Sequence, residues 1–504
     1  MSLVRTEVAG VPAVHLPTTG GTCSGGLVFR VGWADETLAV RGLTHVVGHL
    51  ALAALPPGEV HHHLDVLANH TVLRADGTFE EVSRFVTEVC ATLRDLPAQH
   101  LDTEKSVLSA ETVHDRPVGG RTQQLRYGAR GYGLSAYPEL GLSEVDPDLV
   151  RLWATETFTR DNVVVWFRGP GSPETIPLPL PDGMRQPLPP VPEPLADTPA
   201  FFVSPESDVL LVTAVVPRSA AAVLLAELLD TALDASLRER TGYCTRAGAQ
   251  YDVRDGEDAT VVVRAHCVPG RRAEAVGELV DQLARLRWAP VDSAALTTAR
   301  TAVLRRRGEV DHVVAAARDL LLSRHPREDG PVEDDERALS AVGSRDVAAA
   351  AEAFHASALA QVPEMGLAWA GWHEALLAAS GGDAEGVPEV RADRVTVRHG
   401  GLTAAVRFDA VSAMVAFDDG GRWLVGEDGT EIRVEPGAQS LAADAVERID
   451  AAVDVARVVH RPARDEDDRP PPPPEVAAAA AAAERPSPLA ARLLGRLRPR
   501  RPEA

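Results

Sequence analysis

The stretch His45-Val-Val-Gly-His49 carries the strongest local signal in this chain of 504 residues. Apolar residues recur around it at three- and four-residue spacing from Leu43 to Leu55, which predicts an α-helix. Two histidines four residues apart lie on one face of a helix, where they can bind the same metal ion. A histidine pair on a half-buried helix can equally be structural, so the spacing alone leaves both interpretations open.

A pair of acidic residues extends this signal. The pattern from Leu101 to about Val113 predicts a helix that carries Glu104 and Glu111. Seven residues are close to two turns of an α-helix, so both carboxylates lie on one face. The helix predicted before it, from Thr78 to Leu96, starts with a capping threonine and has Glu81 three residues later. Imidazole and carboxylate are the ligand types that catalytic zinc sites use.

The segment from Leu27 to Glu36, and the glycine-led residues that end at His45, closely resemble the approach to the zinc helix in the M16 metallopeptidases. This is the family of insulinase and the mitochondrial processing peptidase. Its inverted HxxEH motif supplies two zinc-binding histidines and a general-base glutamate, and a later helix supplies the third ligand. The resemblance implies that His45, His49 and Glu111 are zinc ligands. It implies that Glu104 is the supporting acid.

The resemblance covers roughly residues 5 to 380. It implies an α+β fold with two tandem M16/LuxS-like metallohydrolase domains, in each of which helices pack on an antiparallel sheet. Leu237-Arg-Glu-Arg-Thr-Gly242 looks like a second-domain segment of the family, and this implies that Arg238 binds substrate. Both blocks show a similar order of predicted strands and helices, which suggests an internal duplication.

The domain boundaries follow from changes in composition. We predict a first domain at residues 1–176, a proline-rich linker at 177–199 and a second domain at 200–382. Short strands separated by turn residues predict a small β-rich module at 390–458, similar to pleckstrin-homology modules. Residues 459–504 are rich in Pro, Ala and charged residues, which predicts a disordered tail.

The end of this tail allows two interpretations. Residues 489–501 gather five arginines around four leucines, a composition that could contact an acidic lipid surface or a partner groove. Such ends are often merely solvated.

Three departures from the family pattern bear on activity. Gly48 stands at the general-base position and cannot carry a proton, a loss that typically costs ~10² to 10⁴ in rate. Thr245 stands seven residues after Arg238, where the family has a tyrosine. The stretch between His49 and Glu111 lacks the family's Gly-Gly and Asn-Ala strand, the edge on which substrate adds as a β-strand. We therefore expect a catalytically impaired homologue, a pseudoenzyme with a zinc site.

Its expected role is to bind a peptide or protein ligand, or to pair with an active M16 subunit or a second copy of itself. An alternative is an active zinc peptidase in which Glu104 or a histidine from positions 61–63 carries the proton. That histidine run follows Pro56-Pro57-Gly58, which favours a polar loop or helix start instead. A third alternative is a membrane-surface adaptor that acts through the β-rich module and the tail.

Composition excludes further classes of function. The net charge of −22 argues against nucleic-acid binding, which needs a basic surface. The four cysteines have no CxxC spacing, which argues against a disulfide framework and a thiolate zinc site. No window approaches the ~18 apolar residues of a membrane-spanning helix. The first residues contain no basic segment followed by an apolar one, so a cytoplasmic location is the expectation.

Overall fold

The computed structural model describes residues 3–56, 60–114, 119–306, 309–323, 335–375, 388–399, 402–436, 441–442, 444–465 and 468–469. They fall into two compact units, one within Met1–Leu377 with Glu427–Gly429 and the other within Ala378–Gly426 and Thr430–Ala504. The predicted end of the second domain at 376–382 and the arginine-rich segment 489–501 lie outside the described residues. Within these ranges, every helix is too short or too polar to cross a membrane.

The first half of unit 1 alternates strands and helices. In chain order these are β1 (Val4–Val8), β2 (Val11–Pro17), β3 (Cys23–Phe29), α1 (Leu43–Ala53), β4 (His61–Val66), β5 (Thr71–Gly77), α2 (Phe79–Arg94), α3 (Leu101–His114), α4 (Gly120–Tyr127), α5 (Pro147–Thr157) and β6 (Val163–Gly169). The three helices predicted here, around the histidine pair, after Thr78 and around Glu104, are confirmed as α1, α2 and α3. Thr78 and Glu81 form the predicted reciprocal cap.

The second half of unit 1 follows residues 177–199, the predicted linker, which contain neither helix nor strand. In chain order its elements are β7 (Ala200–Val203), β8 (Val209–Pro217), α6 (Ala220–Leu233), β9 (Cys244–Val253), β10 (Asp258–Cys267), α7 (Arg272–Trp288), α8 (Ser293–Arg305), α9 (Val310–Leu322), α10 (Glu336–Ala341), α11 (Ser344–Ala356), β11 (Leu359–Val362) and β12 (His373–Glu374).

Two sheets organise these elements. The first has the strand order β1-β2-β6-β3-β5-β4, and the second has the order β12-β7-β11-β8-β10-β9. In the first sheet β2 pairs parallel with β6, and in the second β7 pairs parallel with both β11 and β12. The other neighbouring strands in both sheets are antiparallel. From β2 to β4 and from β7 to β9, the two sheets therefore share the same strand order and directions.

Each half of unit 1 supplies a helix that packs on the sheet of the other half. The face of the first sheet opposite α1 and α2 is covered by α9, whose Val313 and Ala317 pack against Trp166 of β6. In return α4 packs against the second sheet, where Arg126 donates a hydrogen bond of 2.8 Å to the carbonyl of Thr213. Each sheet thus needs a helix from the other half to cover its apolar face, so the two predicted domains form one compact unit.

Strand β4 corrects two expectations. The histidines at 61–63 were expected in a polar loop or helix start, but they begin a strand whose six residues pair antiparallel with β5. The edge strand of the sheet is therefore present although the family's sequence for it is absent. Histidine has little strand preference, but the ladder to β5 and the packing of Leu64 outweigh local propensity.

Unit 2 is β-rich, as predicted for residues 390–458. Its elements are β13 (Glu389–Val390), β14 (Arg394–His399), β15 (Leu402–Arg407), β16 (Val411–Phe417), β17 (Arg422–Gly426), β18 (Glu431–Val434), α12 (Ala445–Ala452) and β19 (Val458–Arg461). The strands form two sheets, β13-β14-β15 and β18-β17-β16-β19. Its likeness to pleckstrin-homology modules stays a prediction.

The predicted tail begins too early at residue 459. Strand β19 pairs with β16, and the following Arg464 lies in a buried charge cluster. Its guanidinium donates hydrogen bonds to Asp419 at 2.9 Å and to Glu435 at 2.7 Å, and the three side chains are 11%, 7% and 9% exposed. These long-range pairs order a segment whose composition alone predicts disorder.

Replacing Arg464 with Gln is expected to destabilise unit 2 by about 3 kcal/mol, because two buried carboxylates lose their counter-charge. The hydrogen bonds from Arg464 hold the pKa of Asp419 below its usual range. The ionised Asp419 therefore contributes to the stability of unit 2 at pH values above its unfolded pKa of about 3.9, and this contribution is lost as the pH falls through its lower folded-state pKa. Hydrogen exchange of β19 measures the effect. Arg391→Gln, which removes an exposed pair with Glu389, should leave that exchange unchanged.

Candidate metal centre

The start of α1 is fixed by a buried carboxylate. Glu36 accepts hydrogen bonds from the backbone nitrogens of Gly42 at 2.9 Å and Thr44 at 2.6 Å, and it lies 3.6 Å from Arg41. Burial raises the pKa of Glu36, against the opposing effects of Arg41 and these hydrogen bonds. Gly42 has φ of 103°, a conformation that favours glycine. This cap sets the direction in which His45 and the rest of the helix face.

The structure brings the three expected ligands together. One ligand atom from each of His45, His49 and Glu111 lies within 4.8 Å of the others. His49 Nε2 is 3.9 Å from Glu111 Oε2, and the two imidazole rings meet edge to face at 4.9 Å. The histidine side chains are mostly buried, whereas that of Glu111 is 51% exposed. The cluster is thus open to solvent on the side of α3.

Each histidine has a carboxylate partner on its other ring nitrogen. Glu104 lies 3.1 Å from His49 Nδ1, as its expected supporting role requires. Glu139 lies 3.0 Å from His45 Nδ1, and the sequence did not suggest this residue. Burial by itself raises the pKa of Glu139, but the hydrogen bond from His45 and nearby positive charges outweigh it, so this pKa lies below its usual range.

Leu64 packs at the position where the resemblance places the general base. Gly48 is buried in the middle of α1, and a Cβ atom there would lie 2.7 Å and 2.9 Å from the two methyl carbons of Leu64. Leu64 belongs to the edge strand β4. Leu64 therefore occupies the space into which a side chain at position 48 would extend.

Arg238 is not brought to the cluster by any contact among the described residues. Helix α6 ends at Leu233 and continues directly as a π-helix, Asp234–Arg240. There Arg238 makes a two-pronged ion pair with Asp234 and a second contact with Glu239. Its expected role in substrate binding stays a prediction.

Three of the alternative proton carriers, Glu104, His62 and His63, make other contacts. His63 lies 3.0 Å from Asp65, and the ring of His62 stacks on Phe85 at 6.2 Å. Glu104 already accepts a hydrogen bond from His49. None of these described contacts places a free proton carrier beside the cluster.

These residues fit a zinc ion. Two imidazoles and one carboxylate with one open position make up a catalytic-type zinc set. Zinc-bound histidines usually donate their second ring N–H to a carboxylate or carbonyl, which fixes the tautomer that binds the metal. Glu104 and Glu139 provide that arrangement for both histidines. Zinc is therefore compatible with the cluster on donor chemistry and on orientation.

Comparison with known proteins places the fold. No family model and no curated protein matches the chain. A peptidase M16 inactive domain from Pseudomonas fluorescens is 14% identical over 73% of this chain and 99% of that chain, with a TM-score of 0.57. An M16-like peptidase from Alicyclobacillus acidocaldarius is 15% identical over 72% of this chain and 98% of that chain, with a TM-score of 0.56. A chain of complex III2 from Candida albicans is 12% identical over 71% of this chain and 94% of that chain, with a TM-score of 0.58. The chain therefore has the fold of the M16 peptidases.

Proposed function

We propose that this protein is a non-hydrolytic relative of the M16 peptidases, which holds zinc between His45, His49 and Glu111 and binds an extended peptide or a partner subunit. The observation that carries the proposal is the contrast within one helix. Both histidines keep the carboxylate partners that a metal site needs, whereas Gly48 leaves the base position to Leu64. The orientation of the ligands is retained, and proton transfer is lost.

The chemistry follows from this contrast. Zinc bound there would polarise a carbonyl or lower the pKa of a water molecule. Hydrolysis also needs a group that takes a proton and delivers it to the leaving amine. Glu104 and Glu139 each already accept a hydrogen bond from a histidine, and Gly48 offers no side chain. Binding without turnover is the expected outcome.

The free edge of the first sheet among the described strands is the observation that favours a peptide ligand. Strand β4 pairs with β5 on one side, and no described strand pairs with its other side. An extended peptide can add to such an edge through main-chain hydrogen bonds. Because Leu64 of β4 contacts Gly48 of α1, the edge also adjoins the candidate metal site.

A partner role and an origin by duplication each draw on a further observation. The similar solved structures include an inactive M16 domain and a chain of complex III2. The matching strand order of the two sheets supports an origin by duplication of one M16-type domain.

Elemental analysis of zinc, together with a peptide-cleavage assay, tests the proposal. Wild type is expected to carry about one zinc per chain, and His45→Ala and Glu111→Ala are expected to carry little. His63→Ala is the matched control, because His63 contacts Asp65 and lies outside the cluster. Chelator-sensitive peptide hydrolysis that disappears in His45→Ala would show an active peptidase. Absence of zinc from wild type would contradict the metal site.

A further inference from the structure

We propose that Glu139 is a positioning residue for His45, so that two carboxylate–histidine pairs, Glu104 with His49 and Glu139 with His45, orient the metal ligands. This inference rests on the proposed function, because it needs a metal to be bound. The resemblance to the M16 family implied a supporting role for Glu104 and none for Glu139. The second pair depends on a segment far from α1 in sequence, since Glu139 and His45 are 94 residues apart.

Close backbone approach delivers Glu139 to the site. A Cβ atom on Gly141 would lie 2.3 Å from the Cα atom of Val40, and one on Gly42 would lie 2.9 Å from the Cβ atom of Glu139. No side chain fits at either position without a shift of backbone or of a packed neighbour. The nitrogen of Gly141 donates a hydrogen bond of 3.1 Å to the carbonyl of Arg41. The two glycines therefore bring the segment that follows Pro138 against the start of α1.

The geometry favours one histidine tautomer. A carboxylate that is 3.0 Å from Nδ1 accepts a hydrogen bond from Nδ1–H, so the proton stays on Nδ1 and Nε2 of His45 has a lone pair for the metal. Glu104 does the same for His49 at 3.1 Å. Glu139 is 11% exposed, and Arg41 lies 3.8 Å from the same oxygen that faces His45. Packing thus fixes the carboxylate in the direction of the ring.

Zinc affinity, measured by competition with a chromophoric chelator, tests this role. Glu139→Ala is expected to weaken zinc binding by about 10- to 100-fold, the usual effect of losing an outer partner of a ligand histidine. Glu139→Gln keeps an oxygen acceptor but loses the charge, so its affinity should lie between wild type and Glu139→Ala. Glu104→Ala should match Glu139→Ala. Glu144→Gln, which removes the charge of a half-buried side chain in the same segment, should match wild type.

Cobalt supplies a readout that a purely structural role would not change. The visible absorption of bound Co²⁺ reports ligand geometry, and it should shift in Glu139→Ala and recover in part in Glu139→Gln. Unchanged zinc affinity and unchanged cobalt spectra in Glu139→Ala, with wild type still binding metal, would overturn the inference alone. A loss of affinity fully explained by unfolding of the metal-free variant, measured by circular dichroism, would also overturn it. Absence of metal from wild type would instead reject the proposed function.

Discussion

Gly48→Glu alone is expected to leave peptide hydrolysis at background, although it restores the family's general base. Even a Cβ atom at this position meets the methyl carbons of Leu64 at 2.7 Å and 2.9 Å, and a glutamate needs far more room. The carboxylate would have to displace Leu64 or be buried without a partner, which costs several kcal/mol in stability.

Gly48→Glu combined with Leu64→Ala is expected to raise hydrolysis by about 10²-fold or more over Gly48→Glu, because the base regains its space beside the ligands. A quenched fluorescent peptide library, assayed with zinc and with chelator, measures the gain. Gly48→Gln with Leu64→Ala is the matched control, since glutamine has the same size and cannot carry the proton. Equal activity in the Gly48→Glu variant and in the double variant with Leu64→Ala would show that Leu64 does not block the base.

Removal of zinc is the second change with a large expected effect. Zinc that binds only the folded chain stabilises it by about 4 kcal/mol when free zinc is about 1,000 times Kd. Chelation should therefore lower the free energy of unfolding of wild type by that amount. In His49→Ala, chelation should change stability little, because one of the three ligands is missing.

Denaturant unfolding with and without chelator measures this difference. His62→Ala is a suitable control, because its ring stacks on Phe85 away from the cluster and its response to chelation should equal that of wild type. An equal response to chelation in wild type and His49→Ala would mean that the chelator acts elsewhere on the chain.

Most of the candidate site could be predicted because it depends on helical periodicity. His45 and His49, four residues apart, must share a face of α1, and Glu104 and Glu111 must share a face of α3. Glu139 could not be predicted in this way. It lies just before a short 3-10 turn, Leu140–Ser143, and its contact with His45 depends on a close approach of two backbones. The one sequence signal was the nearby Gly141, and glycines of that kind are too common to be specific.

Strand β4 is a second feature that local sequence could not predict. The run His61-His-His63, which follows Pro57 and Gly58 in the sequence, has no local strand signal, yet it forms the sheet edge through its ladder with β5. Likewise Arg464 orders residues beyond the predicted start of the tail, because Asp419 and Glu435 come from other parts of unit 2. In each case a partner distant in sequence outweighed local composition.

The sequence by itself determined the helices that carry the candidate metal ligands, the glycine at the expected base position and the resemblance to the M16 peptidases. These features depend on residue identity and on the fixed period of the helix. Only the tertiary structure decided that Leu64 occupies the place of the base, that Glu139 orients His45, and that α4 and α9 cover the sheets of the opposite halves. Those features depend on which surfaces pack together, and side-chain packing between distant segments leaves no periodic trace along the chain.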